Sequence, residues 1–245
     1  GREVLHASQS LLAAIEGFRS QVNQLHQQLR GELNIGIVNS LVTQSRMRIT
    51  QSLRALSEQG PGVRINIGMM TPSDIELKVL DGQLHVGVVP LVSPLAGLDY
   101  IPLYEEDSLL YCSQGHPLFW RADTDISDAD IAAAPAVIPG FRLPPEAQQC
   151  QQALDGSATA SDREGIAFLI LTGRYIGYLP DHYASLWVQQ GRLRALKPSA
   201  RFYDLSLASV TRKGRRPHLV LESLPFTSSL IIAWLSWNII ICSSS

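Results

Sequence analysis

The sequence predicts an α/β protein of two lobes joined through a hinge of two crossing strands and preceded by one long N-terminal helix. Three observations predict it. From about residue 33 onward, short apolar runs alternate with amphipathic stretches, the pattern of a mostly parallel sheet covered by helices. After residue 112 the composition shifts to an Ala- and Asp-rich stretch, 123–134, which reads as the start of a second lobe. Ahead of both, the first thirty residues carry an apolar seam of regular spacing.

That seam is Val4, Ser8, Leu11, Ile15, Phe18, Val22, Leu25 and Leu29, alternating steps of four and three, the period that keeps one stripe facing a partner helix. Only Ser8 interrupts it. Gln9, Glu16, Arg19, Gln21, Gln24, Gln27 and Gln28 make the remaining surface polar. Packing on its own domain is one reading. A seam of about four heptads favours pairing with a second copy, through Leu11, Ile15, Phe18, Val22, Leu25 and Leu29. Gly31, tolerant of positive φ, ends the helix and releases the chain into a strand.

Residues 33–38 form a first strand, 42–58 a helix and 63–69 a second strand, a β-α-β unit. A helix over 72–81 and a strand over 84–89, apolar enough to be buried on both faces, follow. Extended runs at 98–103 and 108–112 lead into the second lobe. There we expect a strand at 136–139, helices at 146–154 and 163–171, a strand at 175–179 and a helix at 183–190. The run 205–210 is again extended. If it returns to the first lobe, the chain crosses between lobes near Cys112 and near Ser206, which makes a hinge. The expected domains are thus a helix over 1–30, a first lobe of 31–112 plus 209–245, and a second lobe of 113–208.

A formal net charge of −2 argues against a broad basic face for nucleic acid. Cys112, Cys150 and Cys242 lie far apart without a C-x-x-C pair, so neither a zinc site nor a disulfide framework is indicated. A reducing, cytoplasmic setting is expected, as the N-terminus lacks the unbroken apolar core of a secretory signal. No G-x-S-x-G, H-E-x-x-H or P-loop is present, and the six histidines show no close ligand spacing and read as surface or turn residues. No enzyme activity, cofactor or metal is expected.

The order of motifs resembles the regulatory part of LysR-type transcriptional regulators, over almost the whole chain. Gly31-Glu32-Leu33-Asn34-Ile35-Gly36 is similar to the G-x-L-x-I-G opening of that family's first strand. Pro61-Gly62-Val63-Arg64-Ile65 resembles its second strand, and Leu80-Asp81-Gly82-Gln83-Leu84 its L-x-x-G-x-L turn. His116-Pro117-Leu118 and Gly173 through Ile176-Gly177-Tyr178-Leu179-Pro180 continue the series in order. His85 stands where Asp is usual, Tyr175 where Gly is frequent, and the last segment lacks the usual polar ending. The resemblance implies a periplasmic-binding-protein-like fold of two Rossmann-like subdomains behind a linker helix, assembling as a homodimer or homotetramer. It also implies a winged helix-turn-helix ahead of Gly1, which alone would contact DNA.

Ligands of open α/β sheets bind beyond the carboxyl ends of strands, where helix N-termini face a crevice. Asn39, Ser40 and Thr43 follow the first strand, Thr71 follows the second, and Ser161 with Arg163 opens a second-lobe helix in a capping-box pattern. Their hydroxyls and backbone N–H groups suit an anionic metabolite such as a carboxylate. Val89, Pro90, Gly140 and Phe141 supply apolar walls. Taken singly, Ser40, Thr71 and Ser161 would serve equally as plain helix caps; the resemblance places Ser40 and Thr71 at a cleft that holds a small effector.

Two other readings share parts of this pattern. A transporter's solute-binding protein has the same hinged lobes but needs export and no pairing helix. A redox sensor would use Cys112 and Cys150. The basic cluster Arg212-Lys213-Gly214-Arg215-Arg216 reads as a solvated loop. The uncharged run 230–242, with Trp234 and Trp237, is shorter than the ~20 residues of a membrane span; it reads as a buried helix or an altered reading frame.

Overall fold

A computed structural model describes residues 30–45, 49–59 and 61–214. The linker helix, its pairing residues and the apolar 230–242 run lie outside the described residues. The described residues divide into two compact units, one holding 30–33, 49–59 and 61–66, the other 34–45 and 67–214. In the smaller unit, helix α1 (Ile49–Gln59) buries Ser52 and Leu56, one turn apart, and leaves Arg54 and Glu58 exposed as an i,i+4 pair.

Among the described residues nine strands build the sheets: β1 (Arg30–Ile37), β2 (Gly62–Met69), β3 (Val86–Pro90), β4 (Leu98–Ser113), β5 (Pro135–Pro139), β6 (Asp155–Ala160), β7 (Gly177–Pro180), β8 (Leu193–Ala195) and β9 (Phe202–Arg212). The main sheet runs β2-β1-β3-β9-β4-β7, with β8 also on β4; β5 and β6 form a parallel pair, bridged to Ile176 ahead of β7 through Ala136. The further α-helices among the described residues are α2 (Pro72–Leu80), α3 (Asp128–Ala133), α4 (Pro145–Gln152), α5 (Arg163–Leu171) and α6 (Asp181–Gln189). The β1·β3 pair is parallel, as a β-α-β unit requires.

β4 and β9 are the two crossing strands. They pair antiparallel from Leu98↔Arg212 to Leu109↔Phe202, so the runs expected at 98–103 and 108–112 are one strand. Its register shifts between Pro102 and Tyr104, leaving Leu103 as the extra residue of a bulge. Pro102 has no ladder N–H to give, which suits a bulge.

Beyond that ribbon, strand alternation sorts side chains to two faces. Leu110, Cys112, Ala136 and Tyr178 enter one core with Ile131, Leu143 and Leu196. Their neighbours Tyr111, Val137 and Leu179 enter another with Ile166, Ile170 and Leu193. A sheet buried on both faces is what the near-continuous apolar runs predict.

Four expectations are corrected. The main sheet is not mostly parallel: β9 returns between β3 and β4 and pairs antiparallel with both, and β4 pairs antiparallel with β7 and β8. The helix expected over 42–58 is a 3-10 turn, Leu41–Thr43, and the separate α1. Ser40 adopts a left-handed conformation and Gln44 an extended one, so no helix passes through either. β6 and β8 were not expected: β6 is half exposed and polar, and β8 spans three residues, too short to show a period. Of the described histidines, His85 and His116 lie in turns, as expected, while His182 opens α6; none of the three is fully exposed. His116 is buried and accepts a hydrogen bond at Nδ1 from the Leu118 amide (3.2 Å); burial lowers its pKa. His85 accepts the Asn34 amide at 2.9 Å, which shows how a histidine is accommodated where Asp is usual.

Candidate functional site

The turn after β1 and the N-termini of α5 and α6 converge on the middle of β4. Arg163, the first residue of α5, and Glu106 of β4 are both buried and form a two-pronged ion pair. Its second contact, Arg163 Nη1 to Glu106 Oε2, is 3.2 Å. The same Nη1 donates to Ser40 Oγ at 3.2 Å, and the Arg163 amide donates to Asn39 Oδ1 at 3.4 Å. His182, in the first turn of α6, places Nε2 2.8 Å from Glu106 Oε2 and Nδ1 2.8 Å from Thr43 Oγ1. Thr43 Oγ1 also lies 2.9 Å from the Ser40 carbonyl. Segments far apart in sequence are thus joined around one carboxylate.

Above this cluster lies a cavity of about 20 Å³ lined by Val38, Asn39, Met70, Thr71, Pro72, Pro90, Phe141, Ser161, Asp162 and Arg163. That is room for roughly one water molecule. Six residues expected at a ligand site line it: Asn39, Thr71, Pro90, Phe141, Ser161 and Arg163. Ser40 and Thr43 adjoin it through the hydrogen bonds above. Val89 is fully buried in β3, opposite Ala208, and Gly140 is exposed, its amide donating to the Ala160 carbonyl at 2.7 Å. Neither lines the cavity.

The three candidate caps differ. Thr71 is one: its Oγ1 accepts from the Asp74 amide at 3.2 Å and donates to Asp74 Oδ2 at 2.7 Å. Ser40 makes no side-chain cap; it donates to the Asn39 carbonyl at 2.6 Å and accepts from Arg163. α5 is capped by Asp162, whose Oδ1 accepts from Gly165 at 2.8 Å. The capping box expected from Ser161 does not form: the N-cap is Asp162, the third helical residue is Gly165, which has no side chain to return a bond, and Ser161 stays exposed at the cavity.

Glu106, His182 and Tyr104 were missed. Glu105-Glu106-Asp107 looks like a solvated acidic run, yet Glu105 and Asp107 are exposed while Glu106 and Ser108 are buried. Alternation along a strand was the available signal. The Tyr104 hydroxyl is buried without a hydrogen-bond partner among the described residues. Burial raises its pKa, as does the Glu106 charge, while Arg163 lowers it.

Cys112 is fully buried and free, and burial pushes its thiol up to about 12. Cys150 is free and half-buried. Among the described residues, no group of three or more His, Cys, Asp or Glu is placed to hold a metal ion, and no helix is long and apolar enough to cross a membrane.

The profile of the LysR substrate binding domain matches residues 26–224. The HTH-type transcriptional activator BauR of Pseudomonas aeruginosa is 66% identical over 222 residues, covering 91% of this chain and 73% of that protein. Among solved structures, the cofactor-binding domain of the Cbl transcriptional regulator superposes with a TM-score of 0.64 at 17% identity, over 84% of this chain and 92% of that one. Full-length CbnR, solved with its target DNA, gives 0.58 at 17% identity, over 86% and 74%.

Proposed function

Because the chain belongs to the LysR substrate binding domain family and is the effector-binding part of a LysR-type transcriptional regulator, we propose that its effector binds in the cleft of Asn39, Ser40, Thr71, Phe141, Ser161 and Arg163. One observation carries this reading: a buried arginine at a helix N-terminus reaches Ser40 across the cleft while its amide meets Asn39. Thr43, Val89, Pro90 and Gly140 belong to the same proposed surroundings, Val89 and Gly140 without lining the cavity. The guanidinium, hydroxyls and amides suit an anionic group, such as a carboxylate. A cavity of about 20 Å³ holds no metabolite, so admitting one requires the lobes, 31–112 with 209–245 and 113–208, to move apart. That difference between two arrangements is what a ligand needs to shift an equilibrium.

In this reading the chain catalyses no reaction, needs no cofactor and works in the cytoplasm. It pairs through Leu11, Ile15, Phe18, Val22, Leu25 and Leu29 into a dimer or tetramer, and meets DNA only through a winged domain ahead of Gly1. Membership of a regulator family speaks against the transporter reading, and the burial of Cys112 against a redox pair. A thermal-shift screen of small carboxylates, followed by calorimetry, tests the site. Ser40→Ala with Thr71→Ala should weaken every hit at least tenfold, and hits that survive both changes undiminished place the effector elsewhere.

A further inference from the structure

The cleft already contains an anion, and it belongs to the protein. The Glu106 side chain is fully buried, and among the described residues its hydrogen-bond and ion-pair partners are donors from the second lobe: the Arg163 guanidinium and His182 Nε2. Those two donors are in turn held by the first lobe, Arg163 by Ser40 Oγ and Asn39 Oδ1, His182 by Thr43 Oγ1. A carboxylate so far from water is sustained only by such partners, and removing them would leave an uncompensated buried charge.

We infer that Glu106 is an internal competitor of the effector: it occupies Arg163 when the cleft is empty, latches the two lobes together, and sets the concentration at which an external anion can displace it. The inference rests on the effector site proposed above, but its test needs no effector. An anionic ligand meets a guanidinium whose two terminal nitrogens already face Glu106, so its gain at Arg163 is reduced by what Glu106 gives up. The shortage of space beside Arg163 has the same origin, since the latch draws Asn39 and Ser40 onto α5. Tyr104 lies two residues before Glu106 on the same face of β4, and its buried hydroxyl has no hydrogen-bond partner among the described residues.

The test uses the full chain with acetate as probe, read by thermal shift against chloride at equal ionic strength. Glu106→Gln keeps the side-chain shape and removes the charge. The expected result is a half-saturating acetate concentration at least tenfold below that of the unmodified protein, with the gain lost when Arg163→Gln is added. An acetate response within twofold of the unmodified protein overturns the inference. So does a fall in melting temperature that acetate and chloride restore alike, which is the signature of a merely structural ion pair. If Glu106→Gln alone does not fold, the charge-balanced double variant decides by hydrogen exchange. Amides of residues 40–44 should exchange at least tenfold faster than in the unmodified protein, and unchanged protection there refutes the latch. Should the acetate result hold while no carboxylate screen hit depends on Ser40 and Thr71, Glu106 keeps its role and the proposed effector site fails alone.

Discussion

Ser40 offers a prediction in which two effects of opposite sign can be separated by comparing two small substitutions. It sits at φ 66° and ψ −1°, a left-handed conformation that costs a residue with a Cβ about 1 kcal/mol more than glycine. Its Oγ accepts a hydrogen bond from the Arg163 guanidinium at 3.2 Å. Bonds to charged groups contribute about 1.5–3 kcal/mol. The low end applies, because the same nitrogen still reaches Glu106 Oε2 at 3.2 Å when Ser40 Oγ is gone. Ser40→Ala loses the bond and keeps the strain, a fall of about 1.5 kcal/mol. Ser40→Gly loses the bond and relieves the strain, a fall of about 0.5 kcal/mol. With a urea dependence of about 2 kcal/mol per molar, the two midpoints should differ by about 0.5 M, glycine above alanine. Equilibrium urea unfolding followed by tryptophan fluorescence measures this. An alanine variant as stable as the glycine variant, or more so, refutes the assigned backbone conformation. Both variants lack the same oxygen, so both should weaken effector binding equally, which separates stability from recognition.

Three further outcomes follow from burial. Gly87→Ala should cost about 1–3 kcal/mol in the same assay, because a Cβ there would stand 2.3 Å from Ile75 Cγ2 and 2.7 Å from Val210 Cγ1. For His116, burial holds the folded pKa below the unfolded value of about 6.5, so the unfolded chain binds more protons once pH falls below that value. Stability should therefore drop on acidification from about pH 6.5 to the folded pKa and be unaffected by His116 above it, and His116→Gln should melt with a shallower loss between about pH 7.5 and 5.5. A thiol reagent should label Cys150 well before Cys112, whose modification should track global unfolding; mass spectrometry of the labelled peptides distinguishes them.

Most of the sheet was legible because its strands are apolar enough to be buried on two faces, and α5 matches expectation residue for residue. β6 is built of small and polar residues with none fully buried, and β8 spans only three residues, so neither carries an apolar period to read, which is why they escaped. The cleft was legible through its turns and hydroxyls, since Asn39, Thr71 and Ser161 sit where strands end and helices begin. Its charges were not. Glu106 lies between two exposed carboxylates in sequence, and only the pairing of β4 with β9 decides which of the three points inward. His182 is equally plain in sequence, and becomes a partner of Glu106 because β7 pairs with β4 at Ser108↔Pro180 and so delivers α6 to that level.

The β4·β9 ribbon also limits how the proposed lobes could move. Two strands hydrogen-bonded along their length resist sliding, because each step of slippage would break the ladder and turn side chains to the wrong face. They yield readily to twist, and most readily where the ladder is already interrupted. That interruption is at Leu103, one residue before Tyr104 and three before Glu106. A torque applied at the cleft therefore acts on a short lever arm beside the interrupted part of the ribbon, so the moving apart proposed above would proceed by twist about the strand axis and not by sliding along it.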